Sequence, residues 1–191
     1  MNPIDATAFH HEAISAVALW AGLSLILLLV LTIRVSLHRR ALKVSLGDGG
    51  HAALNTASRA FGNAVEYIPT GLVAITLVAL LGWSAGIVHA LGAALFLGRV
   101  LHAIGMHAAK QPALGRMIGM ILTYLVFLGS AVLLIVSILL QQRGATLGAG
   151  FGSSGELYTT RRGVDKNLFE VSIIFAVIFV VAILAGLLIP N

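Results

Sequence analysis

Cysteine is absent from all 191 residues, so disulfides, zinc–thiolate centres and a cysteine nucleophile are excluded. Charge is scarce too: Asp, Glu, Lys and Arg make up 10% of the chain, where a soluble domain carries about a quarter. The first twenty residues hold no lysine or arginine, so the positive start of a signal peptide is missing and the first apolar run is expected to be a retained span. The "LGDGG" loop lacks the lysine and the serine or threonine of a phosphate loop, which argues against nucleotide binding. A pI of 10.3 with no polar domain to carry a basic patch argues against nucleic acid. In such a chain a small basic excess reports membrane orientation and lipid contact.

What the chain has is apolar length. Hydrophobic residues make up 59% of it, and its mean hydropathy is +1.00. A helix needs roughly 20 apolar residues to cross about 30 Å of hydrocarbon, and the runs are too long for barrel strands. The expected fold class is all-α integral membrane. Four spans are expected, at about Glu12–Arg40, Ala52–Gly82, Ser84–Ala109 and Arg116–Gln142. "VSLGDGG" supplies the first turn, with glycine for unusual dihedrals and aspartate for local capping. Residues 1–142 thus form a four-helix membrane domain. Residues 143–167 read as a Gly/Ser-rich linker and 168–190 as a fifth transmembrane helix.

With the N-terminus on one side, Arg34, Arg39, Arg40, Lys43, Arg59, Arg99, Lys110 and Arg116 fall on the other. Arg143, Arg161, Arg162 and Lys166 fall on the first. The larger set surrounds short loops, so that side is expected to be cytoplasmic and the N-terminus outside, in a bacterial inner membrane.

Several of these cations lie within the spans. In "SRAFGNAVEYIP", Arg59, Asn63 and Glu66 stand at i, i+4 and i+7, one stripe of a helix. Arg99, His102 and Met106 repeat this at i, i+3 and i+7 on the third span, while Arg116 opens the fourth and Arg34 closes the first. Four helices bring polar groups to one depth. Arginines snorkelling to headgroups, with Glu66 as structural glue, is the plain reading. A cluster richer in cation than anion implies instead a negatively charged guest such as a carboxylate, phosphate or thiolate. Pro69, inside the second span, removes a hydrogen bond to Val65 and tends to bend the axis.

"SLGDGG", "SRAFGNAVEYIP", "GRVLHAIGM" and "GRMIGMILTY" together resemble the MAPEG family, membrane-associated proteins in eicosanoid and glutathione metabolism, as a bacterial-type member with an appended fifth helix. The resemblance covers about residues 12–142 and implies a left-handed four-helix bundle assembled as a homotrimer. Glutathione, as cosubstrate, would lie between subunits near the cytoplasmic side. By the same resemblance Arg116 would stabilise the thiolate as the catalytic residue. Arg34, Arg59, Asn63, Glu66, Tyr67, Arg99 and His102 would bind the tripeptide. Gly62 and Met106 stand where several members have arginine and tyrosine. The implied activity is a glutathione-dependent transferase or peroxidase on lipophilic electrophiles or lipid hydroperoxides. The competing reading is a catalytically reduced MAPEG-fold subunit, a scaffold or accessory component that docks on a larger membrane protein through residues 168–190. Proton or ion transport through Glu66 and His102 is disfavoured, since the other half of the bundle offers no polar path. His89, alone in an apolar stretch, is expected to be packed and hydrogen-bonded. His10 and His11 are expected to be solvated, and no metal site is expected. Gly82 with Gly86, and Gly115 with Gly119, form G-x-x-x-G pairs suited to close helix packing.

Overall fold

A computed structural model describes residues 3–108 and 113–149, with side chains for 11–108 and 113–140. It contains α1 (Pro3–Leu42), α2 (Ala52–Leu80), α3 (Ala85–Met106) and α4 (Leu114–Ala149). Each holds a segment long and apolar enough to cross a membrane. Helix is the form that satisfies every backbone group without help from lipid. The expected positions hold at the inner ends of the elements. The outer ends differ: α1 begins at Pro3, a residue suited to the first helical turn, and α4 runs past Gln142 to Ala149. The opening of the expected linker is therefore helical. The rest of 143–167 and the whole of 168–190 lie outside the described residues, as do the side chain of His10 and all of Lys110, Arg161, Arg162 and Lys166.

Turn chemistry ends the helices. α2 closes on Gly82 at φ 85°, with Trp83 N–H donating to Val78 O (3.4 Å) and Gly82 N–H to Ala79 O (3.1 Å). That pair is a Schellman cap, which uses a left-handed residue to satisfy the last carbonyls. α1 ends the same way, with Val44 N–H donating to Arg39 O at 3.0 Å, but its left-handed residue is Lys43 at φ 54°. In the loop that follows, Gly47, Gly49 and Gly50 all take positive φ. Asp48 accepts from Gly50 N–H (3.0 Å) and Asn55 Nδ2 (2.7 Å), tying the loop to the first turn of α2.

The core is two patches of small and branched residues. One joins Ala13, Ala16, Ile75, Ala79, Val88, Leu95 and Val126; the other joins Leu31, Ala60, Ala64, Ile68 and Ala103. Small side chains at these contacts let the helix axes come close, the usual basis of packing where lipid removes the hydrophobic drive. α3 and α4 meet backbone to backbone. A Cβ on Gly105 would overlap the backbone of Arg116, and one on Gly119 would overlap the Gly98 carbonyl and lie 2.7 Å from His102 N. The Gly115/Gly119 pair is thus a packing motif. Gly82 and Gly86 are not, since one forms the turn and a Cβ on the other would meet only Ser84 Oγ, at 3.9 Å.

Two tryptophans fasten the far end of the bundle. Trp20 Nε1 donates to His89 Nδ1 (3.1 Å), and Trp83 Nε1 donates to Ser137 Oγ (2.7 Å). An apolar ring with a polar tip suits the membrane–water boundary. His89 is hydrogen-bonded, as expected, but its side chain is exposed rather than packed, because it lies on the outer face of α3.

Candidate functional site: a buried arginine beside a charged helix edge

Arg99 is the largest fully buried side chain among the described residues, with 1% of its surface exposed. A buried guanidinium is costly unless its N–H groups find acceptors. Nη1 donates to Asn63 Oδ1 at 2.6 Å on α2. Nη2 donates to the Gly119 carbonyl at 2.8 Å on α4 and contacts Met120 Sδ at 3.4 Å. The guanidinium carbon lies 5.0 Å from the centroid of the Tyr67 ring, a cation–π arrangement. Nε is buried without a hydrogen-bond partner. Three helices therefore converge on one cation, and among the described residues no carboxylate neutralises it.

The α2 stripe is divided by this packing. At about 100° per residue, Asn63 and Tyr67 lie nearer the core-facing row of Ala60, Ala64 and Ile68 than Arg59 and Glu66 do. Asn63 and Tyr67 are accordingly half-buried against Arg99. Arg59 and Glu66 are exposed along the helix edge. The Glu66 carboxylate has no ion pair or hydrogen bond among the described residues; its backbone carbonyl accepts from Thr70 Oγ1 at 3.3 Å. Gly62 also faces open space, with nothing within 4 Å of a built Cβ. A long side chain at that position would reach the same edge.

His102 is 4% exposed and packs one turn beyond Arg99 against Gly119. It lies within electrostatic range of both Arg99 and Arg116. The Arg116 side chain is exposed at the start of α4 while its backbone abuts Gly105. Arg34 is exposed on α1, where its carbonyl meets His38 Nδ1 at 2.8 Å. One chain thus brings Asn63, Tyr67, Arg99 and His102 together. It leaves Arg34, Arg59, Glu66 and Arg116 on its surface.

Residues 17–136, which carry R-x-x-x-N-x-x-E-Y on α2 and R-x-x-H on α3, match the family model of the MAPEG family. The chain belongs to the MAPEG family. Relatives include Inner membrane protein YecN of Escherichia coli (strain K12), 40% identical over 90 residues, which covers 47% of this chain and 69% of YecN. YecN of a second Escherichia coli strain matches with the same figures. The MAPEG segment spans α1 to α4, so the bundle and the buried arginine both lie within it.

Three participants were not visible in this MAPEG sequence beforehand. Met120 and the Gly119 carbonyl are set by the α3–α4 crossing, and a backbone acceptor leaves no mark on residue type. Phe127, 5.9 Å from Tyr67, supports the ring that faces Arg99. Its spacing from Thr123, one turn earlier on the buried face, was the available signal.

Proposed function

We propose that this MAPEG protein is a glutathione-dependent membrane transferase or peroxidase, acting as a homotrimer on lipophilic electrophiles or lipid hydroperoxides. The observation that carries the reading is the unpartnered Arg59–Glu66 edge of α2. Charged groups on a spanning helix are expensive in lipid and normally face a partner or ligand. A zwitterionic tripeptide supplies what the edge lacks. Its ammonium suits Glu66, and its carboxylates suit Arg59, Arg34 of an adjoining copy and the Asn63 amide. Because Asn63 Oδ1 is held by Arg99, the Asn63 amide is left to offer its N–H groups. Arg116 stabilises the thiolate, since a nearby cation lowers a thiol pKa. The thiolate sulfur then attacks the electrophilic carbon, forming the C–S bond as the leaving group departs with its electron pair. With a hydroperoxide, sulfur attacks the terminal oxygen and releases the alcohol, and a second glutathione resolves the sulfenic acid to disulfide and water.

The family relationship and the inner-membrane designation of YecN support a bacterial inner membrane location. The distribution of lysine and arginine around the short loops is the ground for an outside N-terminus and a cytoplasmic site. The test is glutathione conjugation of a chromogenic electrophile by the purified protein. Activity lost in Arg116→Ala supports the reading; no glutathione binding by calorimetry rejects it.

A second reading is favoured by Arg99, whose two Nη groups both donate inside the chain, and by Gly62 and Met106. Here the bundle is a scaffold that docks on a larger membrane protein through a fifth helix at 168–190. Copurification with a stoichiometric partner that is lost on deleting 168–190 supports it, and a free homotrimer in mild detergent rejects it.

A further inference from the structure

At the end of the bundle opposite Arg99, a pocket of about 410 Å³ opens between the first turns of α1 and the start of α3. His11, Glu12, Ser15, Ala16, Leu19, Ala85 and His89 line it. Neither the family relationship nor the glutathione reading uses it.

The polar groups of the pocket are of two kinds. Glu12 brings an exposed carboxylate that has no ion pair among the described side chains, so its complement is a cation. His89 brings a donor. Trp20 Nε1 can only donate, and it donates to His89 Nδ1, so the neutral ring carries its proton on Nε2. The Trp20 indole is itself held against Gly92, where a Cβ would overlap it, and its ring meets the His89 ring edge-on at 6.2 Å between centroids. The tautomer of His89 is therefore fixed by packing. Nε2–H, with the Ser15 hydroxyl, can serve an acceptor on the guest. A deprotonated ring nitrogen is what a metal ligand requires, and His89 does not present one. Among the described residues no group of three His or carboxylate side chains is placed to hold a metal.

A guest that satisfies both kinds of group carries a positive and an oxygen-acceptor centre a few ångströms apart. The remaining wall is apolar, with Ala16, Leu19 and Ala85. Leu19 is half exposed, and with Ile26 and Val30 it continues along the exposed surface of α1, a path for acyl chains. We propose that the pocket binds the headgroup of a primary-amine zwitterionic phospholipid, the Glu12 carboxylate accepting from the ammonium while His89 Nε2–H and Ser15 hold a phosphodiester oxygen. The tripeptide of the proposed reaction is too polar for the apolar wall and lies at the other end of the spans, so this site is independent of that reading.

The full-length protein, purified in mild detergent, is tested by native mass spectrometry with phosphatidylethanolamine, phosphatidylcholine and phosphatidylglycerol at equal concentration. Phosphatidylethanolamine is expected to bind about tenfold more than phosphatidylcholine, whose quaternary nitrogen has no N–H to donate. Glu12→Gln should bring the two lipids to parity without changing phosphatidylcholine binding. His89→Leu should weaken both lipids together. Equal binding of the three lipids in the wild type, or an unchanged preference in Glu12→Gln, overturns the proposal. Displacement by soluble phosphoethanolamine as effective as by the lipid overturns the assignment to a lipid and makes a free headgroup the ligand. Circular dichroism of Glu12→Gln, a substitution on an exposed side chain, confirms that the helices are intact.

Discussion

Replacing Gly119 with alanine tests the site where fold and function share the same atoms. The added methyl group would overlap the Gly98 carbonyl and sit 2.7 Å from His102 N and 2.8 Å from His102 Cβ. The first two are backbone atoms of α3, so no flexible side chain can move aside and the helices must separate. Overpacking of this kind costs roughly 1–3 kcal/mol. Separation also lengthens the Arg99 bond to the Gly119 carbonyl, and a hydrogen bond to a charged group contributes about 1.5–3 kcal/mol. Against this, alanine gains about 1 kcal/mol over glycine in a helix. The expected net loss is about 1.5–5 kcal/mol. Gly62→Ala is the matched control, since nothing lies within 4 Å of its Cβ and the helix gain stands alone. Unfolding by sodium dodecyl sulfate, followed by circular dichroism in mixed micelles, measures both. A Gly119→Ala protein as stable as wild type, or a Gly62→Ala protein equally weakened, refutes the crossing as described.

Asn63→Leu should destabilise the protein by about 2–3 kcal/mol in the same assay, because Arg99 Nη1 would be buried without an acceptor. Asn63→Asp keeps the acceptor and adds a counter-charge, and should restore most of that loss. Lys43→Gly should stabilise by about 1 kcal/mol, since a side chain at φ 54° carries the left-handed penalty that glycine escapes. The hydrogen bond from the Gly50 amide holds the Asp48 carboxyl below its ordinary 3.8, with help from Asn55. The stabilisation of the loop is then present above pH 3.8 and lost as pH falls through the lowered folded value. Amide exchange at Gly50 and His51 reads this directly. A loop equally protected on either side of that transition, or an unchanged profile in Asp48→Asn, speaks against the link.

The spans were legible because lipid leaves only one signal to read. Apolar length gave four helices, and "GDGG" gave the turn with its aspartate acceptor. The Arg99–Asn63 contact was half legible. Periodicity put Asn63 and Arg99 at a shared depth, but it could not say that the guanidinium turns inward and that both Nη groups donate within the chain. That choice depends on how near α4 comes, which is decided by glycines whose contribution is a missing side chain. Stripe reasoning also grouped Arg59, Asn63 and Glu66 as equals. A stripe about 60° wide can straddle the boundary between core and surface, and here it does. Lys43 in a left-handed cap was not legible, since glycine is the residue expected there.

That boundary leads to a prediction about assembly. Arg59 and Glu66 share their side of α2 with Thr70, Val73 and Leu77, all partly or fully exposed or, for Val73 and Leu77, large and apolar. A lone chain would hold two charged groups against hydrocarbon, at a cost of about 2.5–3.5 kcal/mol for each one near the centre and less toward the interface. Covering that face with a second copy removes the cost and closes the half-site. Because the chain has no cysteine, Val73→Cys gives a single attachment point for a spin label two turns from Glu66. In the native assembly the label should show low accessibility to dissolved oxygen. Dissociation to monomers in harsh detergent should raise it several-fold. An oxygen-accessible label in the native assembly would place this face in lipid, and the charged edge would then be a snorkelling surface with no room for a guest between copies.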